Sequence, residues 1–329
     1  MFKLKSSIAI LNLLCLLAAS TLAQNNDSTR FRSAAEYSAR NFGIGLLVME
    51  RDEIVFEDYT GAGGASIPWP IASGTKSFSG VMLAAAVEDG LISNFDEKVS
   101  DTITEWKSDA LKRNITIRQL LNLTSGIDGG GAVNVRSYRD SINSRASSGP
   151  GEEFRYGPNP FQIFGEVMTR KLKPTGETVR DYLERRIFKS TGMRVSIWRR
   201  VQNDPILANG MALTARDWAK FGMLLRDKGR FGGKQVVSEK LISELLKGSE
   251  INPAYGSTFW LNREGVRANG RLFEMFETEA DESLGKDIFM AAGLGNQRLY
   301  VIPSRDLVVV RFGAFGKFSD AEFLKALLR

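Results

Sequence analysis

The chain has 329 residues, of which 44 are lysine or arginine, 38 are aspartate or glutamate, one is cysteine and none is histidine. The absence of histidine excludes a Ser-His-Asp triad, a Cys-His catalytic pair and any metal site with a histidine ligand. The formal charge of +6 comes from basic residues interspersed with acidic ones. There is no basic stripe interleaved with aromatics, so nucleic-acid binding has little support. If the protein is a hydrolase, lysine or tyrosine must move the protons.

The first 23 residues have the composition of a secretory signal peptide. Two early lysines precede a short apolar run, Ile8 to Ala18, and Thr21-Leu22-Ala23 provides a small-residue cleavage site. The run is shorter than the roughly 18 apolar residues needed to span a membrane, so we predict cleavage rather than a stable membrane anchor. Cleavage would remove Cys15 and leave a domain of residues 24–329 without disulfides. This pattern favours the bacterial periplasm or secretion.

The first part of the predicted domain contains an irregular segment, two strands and a helix, in that order. Residues 24–33 are polar and predict an irregular segment. Two runs, Gly43 to Glu50 and Glu53 to Thr60, predict a pair of strands joined by a short charged turn. A glycine-rich connection, Gly61 to Ser66, follows them. Residues 74–90 then show helical spacing of apolar side chains and end at a glycine.

The middle of the chain, from about residue 95 to 215, predicts a mostly helical lobe with long loops. The predicted helices are Ile117 to Leu123, Glu177 to Lys189 and Thr214 to Lys228, the last with Thr214 as its N-cap. Short apolar or alternating runs after the lobe are typical of strands. They are Ser257 to Asn262, Ile288 to Ala292, Arg298 to Ile302 and Leu307 to Phe312, and a final helix is predicted from Ser319 to Leu328.

Strands at both ends of the chain with helices between them predict an α/β domain of the α+β type. Its mixed, mainly antiparallel sheet would be built from both termini and flanked by helices. The helical lobe would be inserted in the chain between the N-terminal and the C-terminal strands. A cleft between the sheet and the lobe is the natural place for a functional site.

The tetrapeptide Ser73-Gly74-Thr75-Lys76 opens the predicted helix 74–90. Residues three apart share a face on a helical turn, so Ser73 and Lys76 would come within contact range. A serine hydroxyl needs a base to become a nucleophile, and a buried lysine with a lowered pKa is able to serve as that base. The alternative interpretation is that Ser73 is an N-cap that only begins the helix.

The Ser-x-x-Lys spacing is weak by itself, because it also occurs at Ser283-Leu284-Gly285-Lys286. That copy lies in an acidic run without an apolar helix after it, and we interpret it as a surface loop. Glu277, Glu279, Asp281 and Glu282 in the same run would suit calcium, but a solvated acidic loop is the simpler interpretation. We therefore predict no metal and no cofactor.

Five segments resemble the serine β-lactamase and penicillin-binding-protein-like superfamily, which includes class C β-lactamases and related esterases. Residues 73–84 are similar to its first motif, 114–127 to its T-I-R-x-L-L-x-x-T-S-G segment, and 150–156 to its P-G-x-x-F-x-Y segment, while 181–193 and 211–225 match its general pattern. The resemblance extends from about residue 35 to the end. Five segments in the same order are far more specific than Ser-x-x-Lys, and they imply a β-lactamase/transpeptidase-like fold with serine chemistry.

The resemblance implies a role for each matching residue. Ser73 would be the acylated nucleophile, Lys76 its proton-handling partner, and Tyr156 the tyrosine of the second motif, which helps to transfer the proton. Because a phenol is poorly ionised near neutral pH, we expect the Lys76 ammonium to lower the pKa of Tyr156. Without the resemblance, Tyr156 would be interpreted as a packed aromatic residue with a surface hydroxyl.

Two departures from the superfamily's pattern change what is expected of the substrate. The second-motif tyrosine is normally followed by x-Asn, whereas here Pro158 holds that position and Asn159, the candidate for binding a substrate amide, comes one residue later. The third motif is normally Lys-Thr-Gly or His-x-Gly, whereas Ala291-Ala292-Gly293 lacks the cation that meets a substrate carboxylate. The backbone N–H near Leu294 would still pair with that of Ser73 as an oxyanion hole.

We therefore expect a serine hydrolase that forms an acyl-enzyme with an ester or a small amide, as the superfamily's esterases and 6-aminohexanoate-dimer hydrolase-like proteins do. Loss of the third-motif cation argues against efficient β-lactamase activity. One alternative is a D-Ala carboxypeptidase or a weak β-lactamase. Another is a non-catalytic envelope protein that retains the fold to bind peptidoglycan or a partner.

Overall fold

A computed structural model of the chain describes residues 29–131, 133–266, 272–273 and 287–329. The predicted signal peptide, the second Ser-x-x-Lys copy at 283–286 and the acidic positions between 277 and 282 lie outside the described residues. What the sequence predicts for those segments stays a prediction.

Helices occur along the whole described chain, and several begin at a Ser or Thr whose side chain caps the first turn. The α-helices are α1 (29–40), α2 Ser77–Glu88, α3 Val99–Thr102, α4 Ile117–Leu121, α5 Tyr138–Ser141, α6 Asn159–Leu172, α7 Val179–Leu183, α8 Lys189–Thr191, α9 Ala215–Arg226, α10 Glu239–Leu245 and α11 Asp320–Leu328. Glu184–Phe188 is a π-helical turn, and short 3-10 turns lie at Ala72–Lys76, Thr104–Trp106, Lys112–Asn114, Lys173–Thr175 and Pro303–Arg305.

The strands of five or more residues lie towards the two ends of the chain, as predicted, and shorter strands occur between them. The strands are β1 Gly43–Glu50, β2 Glu53–Tyr59, β3 Trp69–Pro70, β4 Ile197–Trp198, β5 Arg200–Val201, β6 Asp204–Pro205, β7 Met211–Leu213, β8 Arg230–Phe231, β9 Lys234–Gln235, β10 Trp260–Leu261, β11 Gly265–Val266, β12 Leu272–Phe273, β13 Phe289–Gly293, β14 Gln297–Ile302 and β15 Leu307–Gly313. The predicted strands in 43–60 and 288–312 are confirmed, whereas the one predicted over 257–262 shortens to β10.

The main sheet has six strands in the order β10-β13-β14-β15-β1-β2. Strand β1 pairs with β15, with Leu47 opposite Val310, so the two ends of the chain meet in one sheet as predicted. Every pairing in this sheet is antiparallel, whereas a mixed, mainly antiparallel sheet was the expectation. Hairpins account for this result, because β1–β2, β13–β14 and β14–β15 are each joined by short turns.

Helices cover both faces of the sheet. Trp218 of α9 stacks on Phe312 of β15, with ring centroids 6.0 Å apart. On the opposite face, Phe323 of α11 stacks on Tyr300 of β14 at 5.6 Å. Because successive strand residues point to opposite faces, this double cover buries β15 along its whole length.

The prediction of an irregular segment up to residue 33 is wrong, because residues 29–40 form α1. Phe31, Ala34 and Ala35 are buried at the i, i+3, i+4 spacing of one helix face. The Phe31 ring lies 6.1 Å from Phe56 of β2. This apolar stripe, rather than the overall polarity of the segment, determines its structure.

Helix α2 lies at the centre of the molecule. Every residue from Ser77 to Ala86 is buried, which is expected of a helix with apolar and small residues on all faces. Ser77 Oγ donates to the backbone oxygen of Thr258 at 3.0 Å, so the helix is tied to the segment before β10. Among the described residues, no helix is both long and apolar enough to cross a membrane.

Between residues 95 and 215, helices α3 to α8 and the short helical turns provide most of the regular secondary structure. The last part of this lobe departs from the prediction, because short strands β4 to β7 occupy positions between residues 197 and 213. Strand β7 pairs with β3, with Leu213 opposite Trp69. This pairing brings the end of the lobe beside the turn that carries Ser73.

Candidate active site

The 3-10 turn that begins at Ala72 is fixed by contacts with β7. The N–H of Ile71 donates to the Met211 oxygen at 3.0 Å. Thr75 Oγ donates to the Ala72 oxygen at 2.7 Å and accepts from the Met211 N–H at 3.1 Å. Ala72 has a φ of 46°, a left-handed conformation that costs an alanine about 1 to 2 kcal/mol. These contacts hold a strained backbone that presents the partly exposed Ser73.

The side chain of Lys76 is directed at Ser73. Its Nζ lies 2.9 Å from Ser73 Oγ and 2.8 Å from the backbone oxygen of Ala208. The rings of Tyr156 and Phe161 enclose it, with centroids 4.9 and 5.4 Å from Nζ. Burial lowers the pKa of Lys76 to about 7. Near neutral pH, a substantial fraction of the lysine is therefore neutral and able to accept a proton.

The neighbouring helices α2 and α6 position the side chains of Ser73 and Lys76 for contact. The N-cap residue of α2 is Lys76, and no side chain caps this helix, so the interpretation of Ser73 as an N-cap is wrong. The loop that carries the acceptor carbonyl for Lys76 is held from α6, where Gln162 Oε1 accepts from the Leu207 N–H at 2.9 Å. Because the Ser73 hydroxyl does not cap the helix, it is available to contact Lys76. The Ala208 oxygen accepts a hydrogen bond from the same Nζ and so aligns the lysine.

Tyr156 lies beside this pair, but its pKa is shifted in the direction opposite to the prediction. Burial raises the pKa of the Tyr156 phenol to about 12, and the Ser73 hydroxyl and the charge of Arg298 offset this only in part. The expected lowering by Lys76 is wrong, because the lysine faces the ring and is itself increasingly neutral above pH 7. Tyr156 therefore keeps its proton at neutral pH and is suited to donate it.

An aromatic cluster backs Tyr156. Trp260 stacks on it with centroids 5.9 Å apart, Tyr255 packs edge-on at 6.2 Å, and Phe154 lies 6.4 Å away. The Tyr255 and Trp260 rings also contact each other at 4.8 Å. Sequence reasoning missed this cluster, since Phe154 and Tyr156 lie about a hundred positions before Tyr255 and Trp260, and only Trp260 lies in a predicted strand. The cluster explains the burial that keeps the phenol protonated.

The end of strand β13 lies against the turn that carries Ser73. A Cβ added at Gly293 would collide with the backbone oxygen of Ile71 and would lie 3.2 Å from Ala72 Cβ. Only glycine allows this close approach. The backbone of Leu294, the next residue, is therefore carried close to the turn that presents Ser73. Leu294 itself is 65% exposed.

A family model described as Beta-lactamase matches residues 30–314, which is most of the chain. The chain belongs to the β-lactamase family. This membership confirms the resemblance and the β-lactamase/transpeptidase-like fold that the sequence motifs imply.

Individual relatives agree with this family. An uncharacterized protein of Alkalihalophilus pseudofirmus is 24% identical over 318 residues, which cover 85% of each chain. A candidate 6-aminohexanoate-dimer hydrolase from Bacillus anthracis superposes with a TM-score of 0.71 at 18% identity, covering 89% of this chain and 79% of that one. EstCE1, a hydrolase with promiscuous acyltransferase activity, gives 0.70 at 14% identity over 92% and 100%. At these identities the solved structures show a shared fold.

Asn159, the candidate amide-binding residue, is engaged elsewhere in this β-lactamase-family protein. It begins α6, its Nδ2 donates to the Asp128 oxygen at 2.9 Å, and its backbone N–H donates to the Gly129 oxygen at 2.9 Å. Its side chain also lies against Gly130, since a Cβ there would be 2.6 Å from its Oδ1. The described contacts of Asn159 thus hold the loop at 128–130 and do not include Ser73.

The third-motif cation that β-lactams require has no counterpart on β13. Ala291 is buried and Ala292 is partly buried. The nearest basic side chain in the sheet register is Arg298, which lies opposite Ala292 on β14. Sequence reasoning missed Arg298, because its proximity depends on the register of the hairpin. In the described residues, no group of three or more acidic, histidine or cysteine side chains is placed to hold a metal.

Proposed function

We propose that this protein is a serine hydrolase that takes an ester or a small amide through an acyl-enzyme at Ser73. The observation that carries the proposal is the 2.9 Å contact between Lys76 Nζ and Ser73 Oγ, together with the lysine pKa of about 7. A neutral amine at that position accepts the Oγ proton and so converts the hydroxyl into a nucleophile.

Each residue has a defined task in the proposed acylation. Ser73 Oγ attacks the substrate carbonyl carbon while its proton moves to Lys76 Nζ. The carbonyl oxygen becomes an oxyanion that accepts from the backbone N–H groups of Ser73 and Leu294. As the bond to the leaving group breaks, Tyr156 donates its proton to that group and then takes a proton from Lys76, which becomes neutral again. The products are an acyl-Ser73 ester and the free alcohol or amine.

Deacylation follows the same route in reverse, with water in place of the leaving group. Water attacks the acyl carbon while its proton moves to Tyr156, which passes its own phenol proton to the neutral Lys76 Nζ. The second tetrahedral intermediate collapses, the bond to Ser73 Oγ breaks, and Lys76 returns the proton to Oγ. The free acid is released, and the three side chains return to their starting protonation states.

The substrate preference that we propose is for neutral esters over β-lactams. The position of the usual third-motif cation is an alanine, so no side chain there meets a substrate carboxylate. The residue after Gly293 is instead the exposed, apolar Leu294, and Trp260 stacks on Tyr156. EstCE1, described as a hydrolase with promiscuous acyltransferase activity, and the candidate 6-aminohexanoate-dimer hydrolase support acyl-transfer chemistry on this fold.

A comparison of p-nitrophenyl butyrate with nitrocefin, in wild type and in the Ser73→Ala variant, tests the proposal. We expect the ester to be hydrolysed faster than nitrocefin and the variant to show only background hydrolysis. Faster nitrocefin turnover would contradict the preference and favour the weak β-lactamase alternative. Equal rates for wild type and variant, with saturable ligand binding, would favour a non-catalytic envelope protein instead.

The pH dependence of the reaction should report the lysine. Because the neutral form of Lys76 is the active base, kcat/KM for the ester should rise with pH up to about 7, the pKa of Lys76, and then level off. Tyr156, with a pKa of about 12, should add no descending limb up to about pH 10. A profile measured from pH 5 to 10 at constant ionic strength checks this. A rate that is flat or falls through pH 7 would refute the assignment.

Removing the phenol hydroxyl should impair proton delivery to the leaving group. The Tyr156→Phe variant keeps the aromatic packing with Trp260, so we expect a loss of about a hundredfold or more in kcat with a near wild-type melting temperature. Tyr182→Phe is the matched control, because that hydroxyl bonds Asp89 at 2.9 Å, away from Ser73. Equal kcat values in the two variants would show that Tyr156 takes no part in proton transfer.

We also propose that the chain acts in the bacterial periplasm or after secretion. The basis is the composition of residues 1–23, with two lysines before a short apolar run and a small-residue cleavage site. Intact mass measurement on protein from the periplasmic or extracellular fraction should give a chain that begins at Gln24. A full-length chain confined to the cytoplasm would contradict this setting.

A further inference from the structure

The turn between β13 and β14 is restrained at every residue. Gly295 and Asn296 have positive φ angles of 79° and 59°. The Gln297 side chain donates from Nε2 to the oxygens of Gly295 at 3.0 Å and Gly313 at 2.7 Å, and its Oε1 accepts from the Gly313 N–H at 3.0 Å. The turn that carries the Leu294 N–H is therefore a rigid element, and the contacts that orient its peptide planes decide where that N–H points.

The guanidinium of Arg298 bridges the two ends of this turn. Its Nη1 lies 3.4 Å from the Gly293 oxygen and 3.1 Å from the Gln297 oxygen. Its Nε and Nη2 donate to the two carboxylate oxygens of Asp320 at 2.7 and 3.1 Å. Asp320 at the start of α11 also accepts from Tyr300 at 2.5 Å. The guanidinium is thus held in one orientation by a carboxylate that is itself fixed.

The contact with Gly293 matters because of the geometry of the peptide unit. The C=O of Gly293 and the N–H of Leu294 belong to one planar trans peptide and point in opposite directions. A donor that fixes the carbonyl therefore fixes the N–H, and a cationic donor polarises the amide so that its N–H donates more strongly. We infer that Arg298 is a positioning residue for the oxyanion hole, acting through the Gly293 carbonyl on the Leu294 N–H. This inference rests on the proposed acyl-enzyme chemistry at Ser73.

The electrostatic setting of Arg298 supports this role. The side chain is 13% exposed and paired with Asp320, which is 14% exposed. Although burial opposes it, the Asp320 carboxylate raises the pKa of Arg298, so the guanidinium stays charged at every working pH. Its charge also reaches Tyr156, where it lowers the pKa of the phenol against the effect of burial. Arg298 thus supplies, from the neighbouring strand and through the backbone, a positive charge that β13 lacks.

The chain contains a matched control for this arginine. Arg226 at the end of α9 also donates from Nε and Nη2 to both oxygens of an aspartate, Asp227, at 2.7 and 2.8 Å. Its Nη1 likewise donates to two backbone oxygens, those of Arg51 and Asp306. Those oxygens lie beyond Leu307, at the other end of β15 from Gly313. The length of the strand places them about 20 Å from the turn between β13 and β14. Loss of either arginine removes a bidentate aspartate pair and two contacts with backbone oxygens; Arg226 also pairs with Asp52 at 3.1 Å, and only Arg298 lies at the site.

Kinetics on three variants separate positioning from structural support. Arg298→Met should lower kcat for p-nitrophenyl butyrate by about tenfold or more, with KM within about twofold of wild type, because oxyanion contacts form only in the transition state. Affinity for phenylboronic acid, whose tetrahedral adduct places an oxygen in the oxyanion hole, should weaken by a similar factor. Arg298→Lys should recover part of both. Arg226→Met should lower the melting temperature comparably and leave kcat and boronate affinity within twofold of wild type.

A spectroscopic measurement decides the inference even if turnover is absent. The amide proton of Leu294 should shift upfield in Arg298→Met, as the polarising contact on its peptide is lost, and should not move in Arg226→Met. Normal kcat, boronate affinity and Leu294 shift in a folded Arg298→Met protein would overturn the inference while leaving the proposed function intact. If wild type shows no Ser73 adduct, the proposed function fails, and the Leu294 shift alone still tests whether Arg298 orients this amide.

Discussion

The Lys76→Met variant should lose about a thousandfold or more in the rate of Ser73 acylation, while folding normally. The expected loss is large because Lys76 is the single base whose nitrogen contacts Ser73 Oγ, at 2.9 Å, in the described part of the chain. Methionine has a similar length, and it keeps contact with Phe161 and the Tyr156 ring. The measurement is stopped-flow acylation by an activated ester, followed through the burst of p-nitrophenol.

The same variant should be more stable than wild type at neutral and acidic pH. Burial holds the pKa of Lys76 at about 7 in the folded protein, against an ordinary value of 10.5. Between these values the unfolded chain binds more protons than the folded one, so this lysine makes stability rise with pH through that window. Each pKa unit corresponds to about 1.4 kcal/mol, so the charged form destabilises the fold below pH 7. Lys76→Met removes that penalty and its pH dependence.

Lys220→Met is a suitable control for the lysine substitution. Lys220 on α9 donates to the Gly192 oxygen at 2.7 Å and to Asp217 at 3.1 Å, and it has no contact with Ser73. We expect it to acylate at the wild-type rate and to be no more stable than wild type. Thermal melts at pH 6 and pH 9 complete the comparison. A Lys76→Met protein that acylates normally, or that melts well below wild type at pH 6, would contradict the role of a buried neutral base.

The Gly293→Ala variant should lose about a hundredfold to a thousandfold in kcat, the range found when an oxyanion donor is removed. Its Cβ would collide with the Ile71 carbonyl, so β13 must move away from the turn that carries Ser73. This displaces the Leu294 N–H from the oxyanion while leaving Lys76 and Tyr156 in place. Steady-state kinetics with the ester should show the loss in kcat rather than in KM.

Gly131→Ala controls for the general effect of adding a methyl group to a glycine. No atom lies within 4 Å of a Cβ at Gly131, and its φ is not in the left-handed range. This variant should keep wild-type kcat and stability. If Gly293→Ala also keeps full activity, with β13 unmoved in a crystal structure, then the close approach of β13 to the turn is not required for catalysis.

Features that depend on local pattern follow well from the sequence. The two runs over residues 43–59, with a charged turn between them, form strands β1 and β2 as predicted. The Ser73–Lys76 contact also follows, because one helical turn places residues three apart on the same face. The N-cap of α9 at Thr214 is confirmed for the same reason, since its side chain accepts from the N–H of Asp217 three residues on.

Features that depend on contacts between distant parts of the chain do not follow from the sequence. The direction of the Tyr156 pKa shift is set by burial against Trp260 and Tyr255, which lie about a hundred positions away in the chain. The contact between Arg298 and the Gly293 carbonyl depends on the register of the β13–β14 hairpin. Helix α1 was obscured by the polar composition around its buried apolar stripe of Phe31, Ala34 and Ala35. In each case packing between remote segments overrides what the local residues indicate.

The central claim is that Ser73 is an acylated nucleophile activated by a neutral lysine. Intact and peptide mass spectrometry after reaction with a fluorophosphonate tests it most directly, with Ser73→Ala and Lys76→Met treated in parallel. We predict one adduct on the wild-type peptide containing Ser73, faster labelling at pH 8 than at pH 6, and no adduct at that position in Ser73→Ala. Labelling of wild type at another residue, or equal labelling of wild type and Lys76→Met at both pH values, would contradict the claim.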